Sequence, residues 1–117
     1  MTTSTATTHT FYIGLDDLLP VVQEYLKNDD GSPIDMTNAT SVLFYLWRFD
    51  SGARIDVVNG VAGTFLDKPN GKVQYAWALG DTATTGEHQR RWKVIFPGPK
   101  PISCPNDRTK GYPVFVS

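Results

Sequence analysis

Residues 19–35 read Leu-Pro-Val-Val-Gln-Glu-Tyr-Leu-Lys-Asn-Asp-Asp-Gly-Ser-Pro-Ile-Asp, a short apolar segment that runs into a polar Asp-Asp-Gly turn. A short strand followed at once by a turn is the repeating unit of antiparallel β-structure. The same unit recurs toward the C-terminus with hardly a helical interval. The sequence therefore predicts an all-β fold.

The most regular strand is predicted over residues 40–49. Side chains alternate between the two faces of a strand, so Leu43, Tyr45 and Trp47 share one face, and the residues between them, also apolar, share the other. A strand with two apolar faces lies either at the centre of a sandwich or beneath a partner that covers its outer face. The sequence leaves both alternatives open.

Strands are also predicted on either side of this segment. The Asn59-Gly60 dipeptide is typical of a tight hairpin turn, and the four prolines between residues 97 and 105 are expected to prevent regular pairing between the last two strands. About seven or eight strands with short turns predict a β-sandwich with Greek-key connections. The further predicted strands cover residues 11–15, 18–26, 54–58, 61–66, 72–78, 87–96 and 112–116.

Composition narrows the class of protein. A chain of 117 residues fits one domain. Its 11 basic and 12 acidic residues leave a net charge of −1, which provides no general attraction to nucleic acid or to an anionic membrane. One cysteine excludes an internal disulfide, and the chain contains neither an apolar leader nor an apolar stretch of about 18 residues. We therefore expect synthesis in a reducing cytoplasm, with no nucleic-acid or membrane partner.

The first ten residues form a separate segment of the chain. Residues 1–10 are polar and rich in threonine, and the compact domain is predicted over residues 11–117. We interpret residues 1–10 as an extended arm that pairs with a neighbouring subunit, with fraying or docking on its own domain as the alternative. The interface candidates in this arm are Thr2, Thr3, Thr5, Thr7 and Thr8.

Residues that support catalysis or metal binding are sparse. Neither His9 nor His88 is spaced to pair with Cys104 as a nucleophile and base. The segment that begins at Asp29 resembles part of a calcium loop, but its twelfth position is Thr40 rather than glutamate, so a hairpin turn is the better interpretation. We predict no catalytic residue, no metal site and no cofactor, and hence a protein that is not an enzyme.

The remaining interface candidates are aromatic or basic. Arg91 and Lys93 share the outward face of their predicted strand, either as a solvated surface or as partners in a salt bridge across a subunit contact. Tyr12, Tyr45 and Trp47 have the surface to stack on sugars, but burial in the core or beneath a neighbouring subunit is the favoured interpretation.

The order of these signals resembles a known family. The sequence is similar to the small immunoglobulin-like domain found at the N-terminus of the baseplate upper protein of tailed bacteriophages and in stand-alone phage structural proteins. His88 departs from the family pattern, which usually has a tyrosine at that position. The matching segments are Asp29-Asp30-Gly31-Ser32-Pro33-Ile34-Asp35-Met36-Thr37, Ala39-Thr40-Ser41-Val42-Leu43-Phe44, Gly71-Lys72-Val73-Gln74-Tyr75-Ala76-Trp77, Gly80-Asp81-Thr82, Gly86-Glu87-His88, Trp92-Lys93-Val94-Ile95-Phe96 and Cys104-Pro105-Asn106.

The resemblance implies an immunoglobulin-like β-sandwich in the virion. The expected function is that of a structural protein of the tail, baseplate or neck, bound to other virion proteins and to copies of itself through a sheet face and the N-terminal arm. A capsid decoration protein is the first alternative. A carbohydrate-binding module that uses the aromatic face is an alternative of another class, with a glycan as its partner.

Overall fold

The computed structural model describes residues 10–105 and 111–117, which form nine strands and a single 3-10 turn at Lys68–Asn70. The prediction of an all-β fold is confirmed. No helix in these residues is long and apolar enough to cross a bilayer. The strands are β1 (Phe11–Ile13), β2 (Val22–Tyr25), β3 (Ser41–Asp50), β4 (Ala53–Ala62), β5 (Thr64–Asp67), β6 (Lys72–Tyr75), β7 (Gly86–Phe96), β8 (Lys100–Cys104) and β9 (Tyr112–Val116).

The strands form a large and a small sheet. In the large sheet the order is β1-β9-β7-β3-β4, and β8 also pairs with β7. The long strand β7 pairs with β9 along its first half and with β8 along its second half. β1 runs parallel to β9, whereas the other pairs are antiparallel. The small sheet has the order β2-β6-β5.

One apolar core joins the two sheets. Phe44 on β3 stacks against Tyr75 on β6 with ring centroids 4.2 Å apart, and Trp92 on β7 packs edge-on against Phe44 with ring centroids 4.8 Å apart. Phe44 and Trp92 are completely buried. Burial of each large side chain contributes about 1.5–3 kcal/mol relative to exposure. The packing of the two sheets on each other is compatible with the predicted β-sandwich.

The prediction of a hairpin turn at Asn59-Gly60 is wrong. The chain reverses at Ser51, which has a φ of 52°, and β4 then continues through both residues. Tyr45 pairs with Asn59 and Phe44 pairs with Val61, so Gly60 is an extra residue in the strand. This β-bulge needs positive φ, which Gly60 supplies at 73°. The positive φ that makes Asn-Gly favourable in a hairpin turn therefore also makes it favourable in a bulge.

The prediction that the prolines prevent pairing between the last two predicted strands is also wrong, because β7 pairs with β9 from Gly86 to Arg90. The segment that contains the prolines forms a further strand. β8 contains Pro101, which lies opposite Ile95 of β7. Among the described residues β8 pairs with β7 alone, so the amide hydrogen that Pro101 lacks is not needed by a second neighbour. The predicted strand over residues 18–26 is shorter than expected, since β2 begins only at Val22.

Candidate assembly interface

The outer face of the large sheet, opposite the core, carries five of the predicted interface residues. Tyr45 on β3 lies directly opposite Arg91 on β7, and Lys93 follows two residues later on the same face. The Lys93 Nζ atom lies 5.5 Å from the centroid of the Tyr45 ring. Trp47 and Tyr12 lie on this face as well. The five residues come from three strands, which explains why no local sequence motif joins them.

These side chains surround a groove that we call the outer groove. Its volume is about 200 Å³. Strands β3, β4, β7 and β8 each contribute to it, so its shape depends on the pairing of four strands. The lining residues are Tyr45, Trp47, Arg54, Asn59, Arg91, Lys93 and Ser103.

Trp47 is covered by its own chain. Only 3% of its surface is exposed. The guanidinium carbon of Arg54 lies 4.3 Å from the centre of the indole, within the range of a cation–π contact. Gly111 also approaches the indole, so closely that a Cβ atom there would lie 2.8 Å from Cη2. Trp47 therefore stabilises the groove wall and does not offer an open ring for stacking on a sugar.

The charged residues in the described lining of the outer groove are cationic. Arg54 forms an ion pair with Asp56, 2.9 Å from Nε to Oδ1, and both side chains are about half exposed. Lys93 forms no ion pair with any residue in the described ranges. Arg91 is the third cationic side chain of the lining, and the described lining residues include no carboxylate. This cationic lining lies on a protein whose net charge is −1.

Tyr12 lies on the same face but at the opposite edge of the sheet. It is 69% exposed and stacks on Phe115, with ring centroids 5.6 Å apart and an interplanar angle of 19°. Strands β9 and β7 separate it from Tyr45. The outer face thus offers two aromatic positions, an open one at β1 and a half-buried one at the groove. The five arm threonines, Thr2, Thr3, Thr5, Thr7 and Thr8, lie outside the described residues.

The interior contains a charged network that the sequence interpretation missed in part. Arg90 precedes Arg91 on β7 and therefore points to the opposite face of the strand, and its side chain is 3% exposed. Its Nε atom donates to Oε1 of Glu24, and Trp92 Nε1 donates to the same oxygen over 2.7 Å. Glu24 lies two residues from both Val22 and Leu26, so the three side chains share one face of an extended strand. This spacing places Glu24 on the core side and is the sequence signal that identifies it.

The two groups considered for nucleophilic chemistry are both buried. The Cys104 Sγ atom lies 3.6 Å from the Tyr112 hydroxyl and 3.9 Å from the carbonyl oxygen of Lys27, and burial raises the pKa of the thiol. The His88 Nδ1 atom lies 3.1 Å from the carbonyl oxygen of Gly86. Burial lowers the pKa of this imidazole, and the nearby charge of Arg48 acts in the same direction. These environments disfavour a thiolate and an imidazolium.

The candidate calcium loop is a turn in the structure. Asp30 Oδ1 accepts hydrogen bonds from the backbone amide and the hydroxyl of Ser32, over 2.9 Å and 2.6 Å. Lys27 and Pro33 form an antiparallel bridge across the turn, in agreement with the hairpin interpretation. Within residues 10–105 and 111–117, no three His, Cys, Asp or Glu side chains are grouped as metal ligands. No family model, curated protein or solved structure matches the chain.

Proposed function

We propose that this protein is a non-enzymatic structural component of a tailed-bacteriophage virion, located in the tail, baseplate or neck. It binds its neighbours through the outer face of the large sheet and through the Thr-rich arm. The main observation in support is that aromatic and cationic side chains lie together on that one face. Aromatic residues and arginine are enriched in protein interfaces, and a sheet face of this kind needs no catalytic group.

The strand order supports the immunoglobulin-like part of the proposal. In variable-type immunoglobulin sandwiches, strands A, B, E and D form one sheet, and strands C′, C, F and G belong to the other. Here β2, β6 and β5 correspond to B, E and D, and β4, β3, β7 and β9 correspond to C′, C, F and G, whereas β1 pairs with β9 in the large sheet. The buried Glu24–Arg90 pair joins β2 to β7, the two strands that a disulfide connects in antibody domains.

The position at which the chain enters the domain supports a role for the arm. The described chain begins at Thr10 and passes directly into β1, which is the edge strand of the large sheet. Nine extended residues reach about 30 Å. An arm of that length, leaving from a sheet edge, is long enough to add a strand to a neighbouring subunit.

The sugar-binding alternative has less support. Of the aromatic residues proposed to stack on a sugar, Trp47 is covered and Tyr12 lies at the other edge of the sheet. Carbohydrate recognition by stacking needs open, neighbouring ring faces. A capsid decoration protein needs the same adhesive surface as a tail component, so only location separates these two functions.

Mass spectrometry of purified virions, separated into heads and tails, tests the proposal. We expect the protein in the tail fraction. Recovery in heads alone would establish the decoration alternative, and absence from both fractions would refute a virion function. A variant that lacks residues 1–10 should remain folded, because β1 to β9 are retained, but should fail to enter particles. Normal incorporation of that variant would remove the arm from the proposal.

A further inference from the structure

We propose that the outer groove is a binding site for an acidic segment of a partner protein, whose Asp or Glu carboxylates are held by Lys93 and its cationic neighbours. This inference rests on the proposed function only in naming a virion protein as that partner. The binding site itself is argued from the charge, size and shape of the groove.

Charge is the first reason. Asp56 already neutralises Arg54 through their 2.9 Å contact, whereas Lys93 has no carboxylate partner in the described part of the chain. An ammonium group that is partly shielded from water gains most from an anionic ligand. Carboxylates of a partner supply that charge, and they complement a described lining whose charged residues are all cationic.

The cations are also held in place. The Lys93 ammonium group lies over the Tyr45 ring, and the Arg54 guanidinium lies over the Trp47 indole at 4.3 Å. Cation–π contacts of this kind restrict long side chains that otherwise lose rotamer freedom on binding. The cationic side chains of the groove therefore lose less rotamer freedom when a ligand binds. Asn59 and Ser103 add polar groups to the lining.

Size and surroundings favour a peptide over a nucleic acid. A groove of about 200 Å³ is smaller than the typical small-molecule pocket and accommodates one or two side chains. Nucleic acids bind along extended basic tracks. On this face the positive region is flanked by Asp56 on β4 and by the exposed Glu87 on β7. These carboxylates repel a chain of phosphates that runs past the groove, whereas a short acidic segment avoids them.

Nuclear magnetic resonance titration of the purified full-length chain tests this site. The probe is a decapeptide of alternating Glu and Gly, and the matched uncharged probe replaces each Glu by Gln. We expect the Glu peptide to shift the resonances of the Trp47 indole and the Lys93 amide, and the Gln peptide to leave them in place. Lys93→Gln should weaken binding at least about threefold, the effect of one partly exposed ion pair.

Lys72→Gln is the matched control, because it removes the same charge from a similar environment on the small sheet. The Lys72 Nζ atom lies 5.4 Å from the centroid of the Tyr25 ring. This variant should bind the Glu peptide like the unmodified protein. Equal losses in the two variants would show that only net charge matters and would overturn the assignment of the groove.

Two further probes separate the other ligand classes. A thymidine oligonucleotide or an oligogalacturonate that shifts the same resonances at lower concentration than the peptide would replace the proposal by a nucleic-acid or acidic-sugar site. Absence of any shift at about 5 mM peptide, where even a site with a Kd of about 1 mM is mostly filled, would refute it. The titration needs no virion, so its failure is distinguishable from a failure of the proposed function.

Discussion

Glu24 on β2 and Arg90 on β7 form a buried ion pair, 2.5 Å from Oε1 to Nε, that joins the two sheets through the core. The guanidinium is also held by the carbonyl oxygen of Pro113, which accepts from Nη1 over 2.8 Å. Trp92 shares the Glu24 oxygen. Removal of one partner from such a pair leaves an uncompensated charge in the interior, and that cost exceeds the value of the pair itself.

Glu24→Gln should therefore lower the free energy of unfolding by about 3 kcal/mol. Asp56→Asn breaks the exposed Arg54–Asp56 pair and should cost no more than about 1 kcal/mol. The two pairs differ in exposure, with side chains 3% and 11% exposed in the first and 47% and 48% exposed in the second. Urea denaturation of both variants measures the contrast. Similar losses would mean that burial does not set the strength of the Glu24–Arg90 pair.

The buried His88 predicts a pH dependence of stability. Its pKa is lowered in the folded state, mainly by burial, and Nε2 has no hydrogen-bond partner among the described residues. The unfolded chain therefore binds a proton at higher pH than the folded chain does. Stability that is fully present above about pH 6.5 is lost as the pH falls.

A His88→Gln variant tests this dependence, because glutamine does not titrate. Between about pH 7.5 and about pH 5.5, the free energy of unfolding should fall more steeply for the unmodified protein than for the variant. The comparison uses slopes, so a uniform loss of stability in the variant does not affect it. Equal slopes in His88→Gln and the unmodified protein would contradict the assignment.

The elements that were predictable from sequence are those with a clear apolar pattern. Residues 40–49, a run of apolar residues followed by an Asp-Ser-Gly turn, and residues 87–96, in which apolar and polar positions alternate, become β3 and β7 within one residue at each end. Asn59-Gly60 was misinterpreted since positive φ is shared by hairpin turns and bulges. Only the pairing of Tyr45 with Asn59 shows which of the two is present.

The sequence predicted several residues of the candidate site but not that they lie together in one groove. Alternation puts Tyr45 on one face of β3, and Arg91 on one face of β7, without showing that the two strands are neighbours. Arg54 was not foreseen at all, because its role depends on the hairpin that brings β4 beside β3. The direction of a side chain follows from its own strand, whereas the groove forms only when strands distant in sequence pair with each other.

Cys104 should be unreactive in the folded protein. The side chain is buried, and burial raises the pKa of the thiol, which lowers the fraction of reactive thiolate near neutral pH. We expect an aromatic disulfide reagent to modify one thiol rapidly in urea and only slowly in buffer. A Ser51→Cys variant, with its new thiol at an exposed turn, should add a single fast-reacting group in buffer. Rapid modification of Cys104 in the native protein would contradict its placement in the core.

Gly71 stands where the backbone leaves no room for a side chain. Its φ is 74°, and a Cβ atom would lie 2.6 Å from the carbonyl oxygen of Leu26 and 2.9 Å from that of Ile34. Both contacts are to backbone, so neither is relieved by rotation of a side chain. Gly71→Ala combines this clash with the cost of a left-handed conformation, and we expect it to lower the free energy of unfolding by at least about 3 kcal/mol.

Gly31→Ala is the matched control for that substitution, since Gly31 has a φ of 89° and open space within 4 Å of the added Cβ atom. Only the conformational cost remains, about 1–2 kcal/mol. The difference between the two variants in urea denaturation isolates the close approach of the segments around Leu26 and Ile34 to the start of β6. If the two substitutions lower the free energy of unfolding equally, the backbone carbonyls of Leu26 and Ile34 do not lie close to Gly71 in solution. The turn at residues 68–71 would then not hold β2 against β6.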